Sequence, residues 1–235
     1  MSLFTTTIDA YCERTHEGFW AEPLNAWTNL AFLGSAAVAF VVVRRVAASA
    51  ASDDEATEVR LSRPHWDLWL LPAWLVCIAI GSFLFHTWAT PFAALLDVGS
   101  IAGFIVTYLA VFASRVLGWG GVWVWAWPLG LLAASVGLAM FVCPSYVCGY
   151  APTVASVFLA GLLARDRGRP AAARLLWAAG GLFMVSLAIT GFDGPLCPWW
   201  PVGTHFVWHL LNAVVLAMAM LGLGRSLERP AAGPA

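Results

Sequence analysis

The chain has 235 residues, of which 61% are hydrophobic and 11% charged, against roughly 45–50% and 25% in an ordinary soluble domain. Twelve arginines, no lysine and a net charge of −1 exclude a basic nucleic-acid surface. So much apolar surface cannot be hidden inside a soluble globule of this length, and the natural solvent is lipid.

The first 23 residues lack the basic start and apolar run of a signal peptide, so the first apolar segment is expected to remain as a membrane anchor. Apolar runs near the roughly 20 residues that cross a bilayer follow at 24–45, 66–88, 91–114, 118–142, 150–165, 172–192 and 203–224. The fifth is short and can extend through Cys148 or past Arg165. Pro128 inside the fourth predicts a kink rather than an end. Residues 46–64, with Asp53, Asp54, Glu55 and Glu58, read as a solvated polar loop, and 226–235 as a flexible tail. The expected fold is an all-α membrane protein, a single seven-helix domain over residues 1–235 with 1–23 as an outer cap.

Arginine placement predicts the orientation. With seven spans, Arg44, Arg45, Arg60, Arg63, Arg115, Arg165, Arg167, Arg169, Arg174, Arg225 and Arg229 fall on one side and only Arg14 on the other. The positive-inside rule then puts the N-terminus outside and the C-terminus in the cytoplasm. An even number of spans would split the arginines between the two sides.

That topology gathers the polar residues that an apolar chain keeps for a purpose. The outer side receives Asp9, Glu13, Glu17 and Glu22, and the stretch Gly81 to Asp97 with Ser82, His86 and Asp97. It also receives the loops at 143–150 and 193–204, and His205 and His209 behind the second of them. Ser82 and His86 share a helical face, as do His205 and His209. Two histidines at that spacing are a weak signal, and a buried histidine beside an interfacial one explains them equally well. His86 at the same membrane face changes the weighting, because three imidazoles plus water make an open catalytic zinc site. Asp97 then serves as the base for that water, and Ser82 as a hydrogen-bond partner of the water or of an oxyanion. His16 and His65 lie at interfaces without partners at metal spacing.

These residues resemble a known family. Ser82 and His86 in S-x3-H, followed by x10 and Asp97, together with His205 and His209 in H-x3-H, are similar to the motifs of the alkaline ceramidases. That family belongs to a wider group of seven-helix membrane hydrolases that includes the adiponectin-receptor-like proteins. The N-terminal stretch Tyr11 to Phe32 also looks like the ceramidase start, where a Cys-Glu pair precedes a Glu and an Asn-rich first helix. The resemblance implies a zinc-dependent amidase with His86, His205 and His209 as metal ligands and Asp97 and Ser82 as catalytic residues. It also implies a calcium site from Asp9, Glu13 and Glu22, onto which the chain maps incompletely. Ala10 stands where the family's animal members place an Asp, and Thr15 where an Asn is expected. Glu22-Pro23 with Asn25 and Asn29 reads more simply as a cap of the first helix with hydrogen bonds across helices.

Four of the five cysteines, Cys12, Cys143, Cys148 and Cys197, fall on the outer side, where disulfides persist. Of three possible connectivities, the expected one is Cys12–Cys197 with Cys143–Cys148. The whole reading is an inner-membrane protein of a bacterial kind, its site toward the periplasm. It would hydrolyse ceramide or another N-acyl lipid to a free amine and a fatty acid, with no nucleic acid and no obligate protein partner. The rivals are a lipid-sensing receptor with a structural zinc and a proton-coupled transporter. A retinal protein is excluded, because the chain has no lysine for a Schiff base.

Overall fold

The computed structural model of the chain describes residues 3–51, 65–143 and 146–228. Among them are seven helices long and apolar enough to cross a membrane: α1 (Pro23–Ser49), α2 (Trp66–Trp88), α3 (Pro91–Val116), α4 (Trp123–Phe141), α5 (Val147–Asp166), α6 (Pro170–Gly191) and α7 (His205–Leu227). The all-helical fold and the span count are those expected, and no strand occurs among the described residues. The helices follow one another around a ring, and α1 closes it by packing between α2 and α7. Leu71, Leu75, Phe112 and Met220 are fully enclosed at its centre. Residues such as Phe40, Ile80, Leu95, Val136 and Val214 stay outward, as lipid-facing side chains do.

The interior is stitched by polar pairs that an apolar medium makes worth keeping. Trp74 donates to Thr107 (3.0 Å) between α2 and α3, Ser35 to the Ala213 carbonyl (2.6 Å) between α1 and α7, and Tyr108 to the Ala219 carbonyl (2.9 Å) between α3 and α7. At the end of the bundle remote from the histidines, Arg115 grips Asp67 with two hydrogen bonds of 2.7 and 2.6 Å. Arg167 there closes the end of α3 by donating to the carbonyls of Val116 and Leu117. Planar, bidentate pairing of this kind is what arginine does and lysine does not.

The element boundaries differ from expectation in ways with local causes. The fourth helix begins at Trp123, not 118, because Gly118 (φ 77°) and Gly121 (φ 58°) take left-handed conformations that end regular helix. Pro128 lies inside α4 without ending it, and Pro72 does the same in α2. The first helix reaches Ala51, beyond the expected start of the polar loop at 46, and it pauses at Asn29 between Pro23–Thr28 and Leu30–Ala51. The loops at 143–150 and 193–204 each carry a short helical segment, Tyr146–Gly149 and Asp193–Leu196. The seventh helix continues to Leu227, into the expected tail. The acids Asp53, Asp54, Glu55 and Glu58, and Arg60, Arg63 and Arg229, lie outside the described residues.

The N-terminal segment forms a strap across the histidine end of the bundle. Its Ile8 amide donates to the Ala89 carbonyl (2.6 Å), and its Leu3 carbonyl accepts from Phe92 (3.0 Å), so it lies over the α2–α3 link. Two disulfides close the same end, Cys12–Cys197 and Cys143–Cys148, with Cα separations of 5.2 and 6.1 Å. Both fall inside the roughly 4.4–6.8 Å that such bridges span. The first ties the strap to the turn before α7, and Cys77 on α2 stays free. Peptide mapping of the unreduced protein should recover these two cross-linked pairs and Cys77 alone alkylated. Recovery of four alkylated outer cysteines would contradict the strap.

Candidate metal centre

The link between α2 and α3 sets the first half of the site. Ala89 ends α2 in a left-handed conformation (φ 47°), and its amide returns to the Phe85 carbonyl at 2.9 Å. Thr90 then caps α3 by accepting the Ala93 amide (3.2 Å), and Pro91 occupies the first turn, where a missing N–H costs nothing. Two residues therefore reverse the chain, and α3 comes back alongside the last turns of α2. The two backbones approach so closely that a Cβ on Gly81 would stand 2.8 Å from the Leu96 carbonyl oxygen. That approach carries the Asp97 carboxylate beside Ser82.

The second half is the start of α7. Thr204 precedes the helix but spends its hydroxyl on the Ile189 carbonyl (2.8 Å), so it does not cap. Asp193 does so from outside, with Oδ1 accepting the amides of Thr204 (2.6 Å) and His205 (3.0 Å). A carboxylate on unpaired first-turn N–H groups satisfies them and suits the positive end of the helix dipole. Its Oδ2 accepts the Cys12 amide (3.1 Å), joining helix start, disulfide and strap in one knot.

His86, His205 and His209 meet between these halves. Their ring centroids are 5.1, 4.8 and 4.7 Å apart, and each offers a ligand nitrogen within 4.8 Å of the others. All three are buried. Each Nδ1 has a partner: Glu22 Oε2 for His86 (2.6 Å), Thr190 Oγ1 for His205 (3.2 Å) and Thr28 Oγ1 for His209 (2.9 Å). A carboxylate can only accept here, so His86 carries its proton on Nδ1. Thr28 directs its own proton at the Leu24 or Asn25 carbonyl (2.8 and 3.0 Å), which leaves a lone pair for His209 Nδ1–H. Nε2 is then the nitrogen each ring has left for a metal. On His86 it is buried without a hydrogen-bond partner, and so is Asp97 Oδ1. A buried polar atom without a partner costs about 1–3 kcal/mol, and a ligand nitrogen and a carboxylate oxygen left in this way fit a metal ion and its water. Tetrahedral zinc with Zn–N bonds of about 2.0–2.1 Å fits a group this compact.

The strap covers the group. Tyr11 stacks on His205 at 3.7 Å between ring centroids, with its ring 5.2 Å from that of His86. Arg14, also buried, reaches Glu22 with Nε at 2.5 Å.

The acids expected to hold calcium are employed otherwise. Glu13 caps the first turn of α1 by accepting the amides of Leu24 (2.6 Å) and Asn25 (2.8 Å). Burial raises its pKa, against the lowering effect of those two bonds. Glu22 stands at the start of α1 but makes no cap bond there; it serves Arg14, His86 and Asn25 instead. Burial pushes its pKa up, but the hydrogen bonds of His86 and Asn25 and the charge of Arg14 hold it below the usual carboxylate range. Among the described residues Asp9, Glu13 and Glu22 do not form a group of three whose ligand atoms lie within 4.8 Å of one another. Asn29 donates to the Asn25 and Ala26 carbonyls inside α1 rather than across helices.

His16 and His65 stay outside the centre, as expected: His16 accepts the Gly18 amide (2.9 Å), and His65 precedes α2 near Arg115. Cys12, Asp193 and Cys197 also lie within 4.8 Å of one another, but both sulfurs are spent in the disulfide. Sequence reasoning missed Tyr11, Arg14, Thr28, Thr190 and Asp193 as parts of the site.

Compared with protein-family models, with curated proteins and with solved structures, the chain has no match. A metal titration tests the centre directly. Thr28→Val removes the acceptor behind His209 while keeping the shape of the side chain. It should weaken zinc about tenfold or more in competition with a chromophoric chelator. Undiminished affinity would mean that His209 is not a ligand.

Proposed function

We propose that the protein is a zinc-dependent membrane amidase that hydrolyses the N-acyl bond of ceramide or a related N-acyl lipid. The observation that carries this reading is the pair of unpartnered buried atoms, His86 Nε2 and Asp97 Oδ1, beside a histidine group whose other nitrogens are tied back. Three imidazoles leave a coordination position open, which distinguishes a catalytic zinc site from a closed structural one. That favours an enzyme over a receptor stapled by zinc. The resemblance of Ser82, His86, Asp97, His205 and His209 to the alkaline ceramidase motifs supplies the substrate class.

His86, His205 and His209 hold the ion, and the bound zinc supplies Lewis acidity toward water and the amide carbonyl. Asp97 takes the proton of the attacking water on its free oxygen and delivers it to the leaving nitrogen. The Ser82 hydroxyl orients the Asp97 carboxylate. Glu22, Thr190 and Thr28 keep the three rings aimed. The products are a fatty acid and a free amine, a sphingoid base where the substrate is ceramide. Tyr11 and the strap cover the histidines at the bundle end, so a substrate dissolved in the bilayer enters sideways between helices.

The arginine distribution supports a site on the side away from the cytoplasm, with the C-terminus in the cytoplasm, and the compact, lysine-free composition supports a bacterial inner membrane with the site toward the periplasm. Two substitutions test the assignment. His86→Ala should lose both the zinc and the release of fatty acid from ceramide. Asp97→Asn should keep the zinc and lose about 10²–10⁴ in turnover. Unchanged zinc content and turnover in His86→Ala would refute the reading.

A further inference from the structure

A carboxylate, an imidazole and a guanidinium stand in one buried line beside the centre. Glu22 is 2% exposed and Arg14 6%. The two Glu22 oxygens divide their work: Oε1 accepts from Arg14 Nε at 2.5 Å, and Oε2 accepts from His86 Nδ1 at 2.6 Å and from Asn25 at 3.2 Å. Arg14 does not stop at the carboxylate. Its Nη2 donates to the backbone carbonyl of His86 itself (3.4 Å), and its Nη1 to the carbonyl of His16 (3.5 Å). One side chain thus touches the partner of a proposed metal ligand and the backbone of that same ligand. Its own position is set by the strap, two residues beyond the Cys12–Cys197 bridge.

A carboxylate this deep needs partners for both oxygens, and Arg14 supplies the one that His86 and Asn25 leave free. Without Arg14 on Oε1, the Glu22 carboxylate would be free to turn away from His86 Nδ1–H, and the orientation it gives the ligand ring would be lost. Arginine suits the task because its planar fork brings a positive charge to the carboxylate and a second donor to the His86 carbonyl. Its presence also answers the calcium question, since a fixed positive charge against Glu22 repels a divalent ion from the same carboxylate.

We propose that Arg14 is a positioning residue of the metal centre, a built-in cation that holds Glu22 aligned on His86 and makes the centre indifferent to calcium. The proposal rests on the zinc reading above. It is tested on the full chain in nanodiscs, dialysed into calcium-free buffer, with zinc affinity measured by chelator competition for the wild type, Arg14→Gln and Arg14→Lys.

Millimolar calcium should leave wild-type zinc affinity unchanged. Arg14→Gln, in the folded fraction isolated by size exclusion, should bind zinc about tenfold more weakly. Arg14→Lys should recover most of the loss. Equal zinc affinity in wild type and Arg14→Gln, or a lysine variant no better than the glutamine one, overturns this proposal alone. So does a rise of wild-type affinity on adding calcium, a result that decides the matter even where Arg14→Gln does not fold. Absence of zinc binding in the wild type takes down both this proposal and the metalloenzyme reading.

Discussion

An imidazole placed inside an apolar bundle must have something to do with both of its nitrogens, and the site end of this protein is arranged around that demand. Three histidines are buried together, and each Nδ1 is matched to an oxygen from a different element: Glu22 just ahead of α1, Thr28 within it, and Thr190 near the end of α6. Those contacts fix ring orientation, and with it the direction in which Nε2 points. Among the described buried side-chain atoms without a partner, two belong to the site, His86 Nε2 and Asp97 Oδ1; the others lie on Asn25, Asn29, Ser135, Ser186 and Asn212. These two differ from the rest in chemistry: one is a ligand nitrogen of the histidine group and the other a carboxylate oxygen beside it.

The same demand explains the extra-membrane architecture. The helices that carry the histidines approach the site with exposed ends, which an isolated bundle would leave to water. Here a strap crosses them. Asp193 satisfies the first amides of α7 and the Cys12 amide together, the disulfide pins the strap to the same turn, and Tyr11 and Arg14 hang from it onto His205 and Glu22. Strap, cap and metal ligands therefore form one cooperative unit. Loosening any one of them should disturb the others more than independent sites would allow.

Much of this was legible from residue order. Hydropathy locates seven spans because lipid demands about 20 apolar residues from each. The segregation of arginines places His86, His205 and His209 at one end without any assumption about function, and the same parity gathers four cysteines there, whose pairing the structure shows. The fourth span was overextended because Gly-Trp-Gly-Gly reads as apolar, while its left-handed glycines end a helix. The partners of the histidines were not legible. Thr28 and Thr190 are ordinary helix residues by pattern, and Asp193 caps a helix from eleven residues upstream, outside the reach of any local capping motif. Glu22 looked like a helix cap or a calcium ligand because its true partner lies 64 residues away in sequence. Arg14 was visible only as the odd arginine out on the acidic side. Long-range pairings leave no periodicity, and those are the contacts that tune a site.

The central claim is that three histidine nitrogens converge on one zinc ion with a position left open. X-ray absorption at the zinc edge of the purified wild-type chain measures this directly. The account predicts one zinc per chain, multiple-scattering features of about three imidazoles, and nitrogen or oxygen neighbours alone at about 2.0–2.1 Å. A sulfur shell at about 2.3 Å, or no stoichiometric zinc, would contradict it.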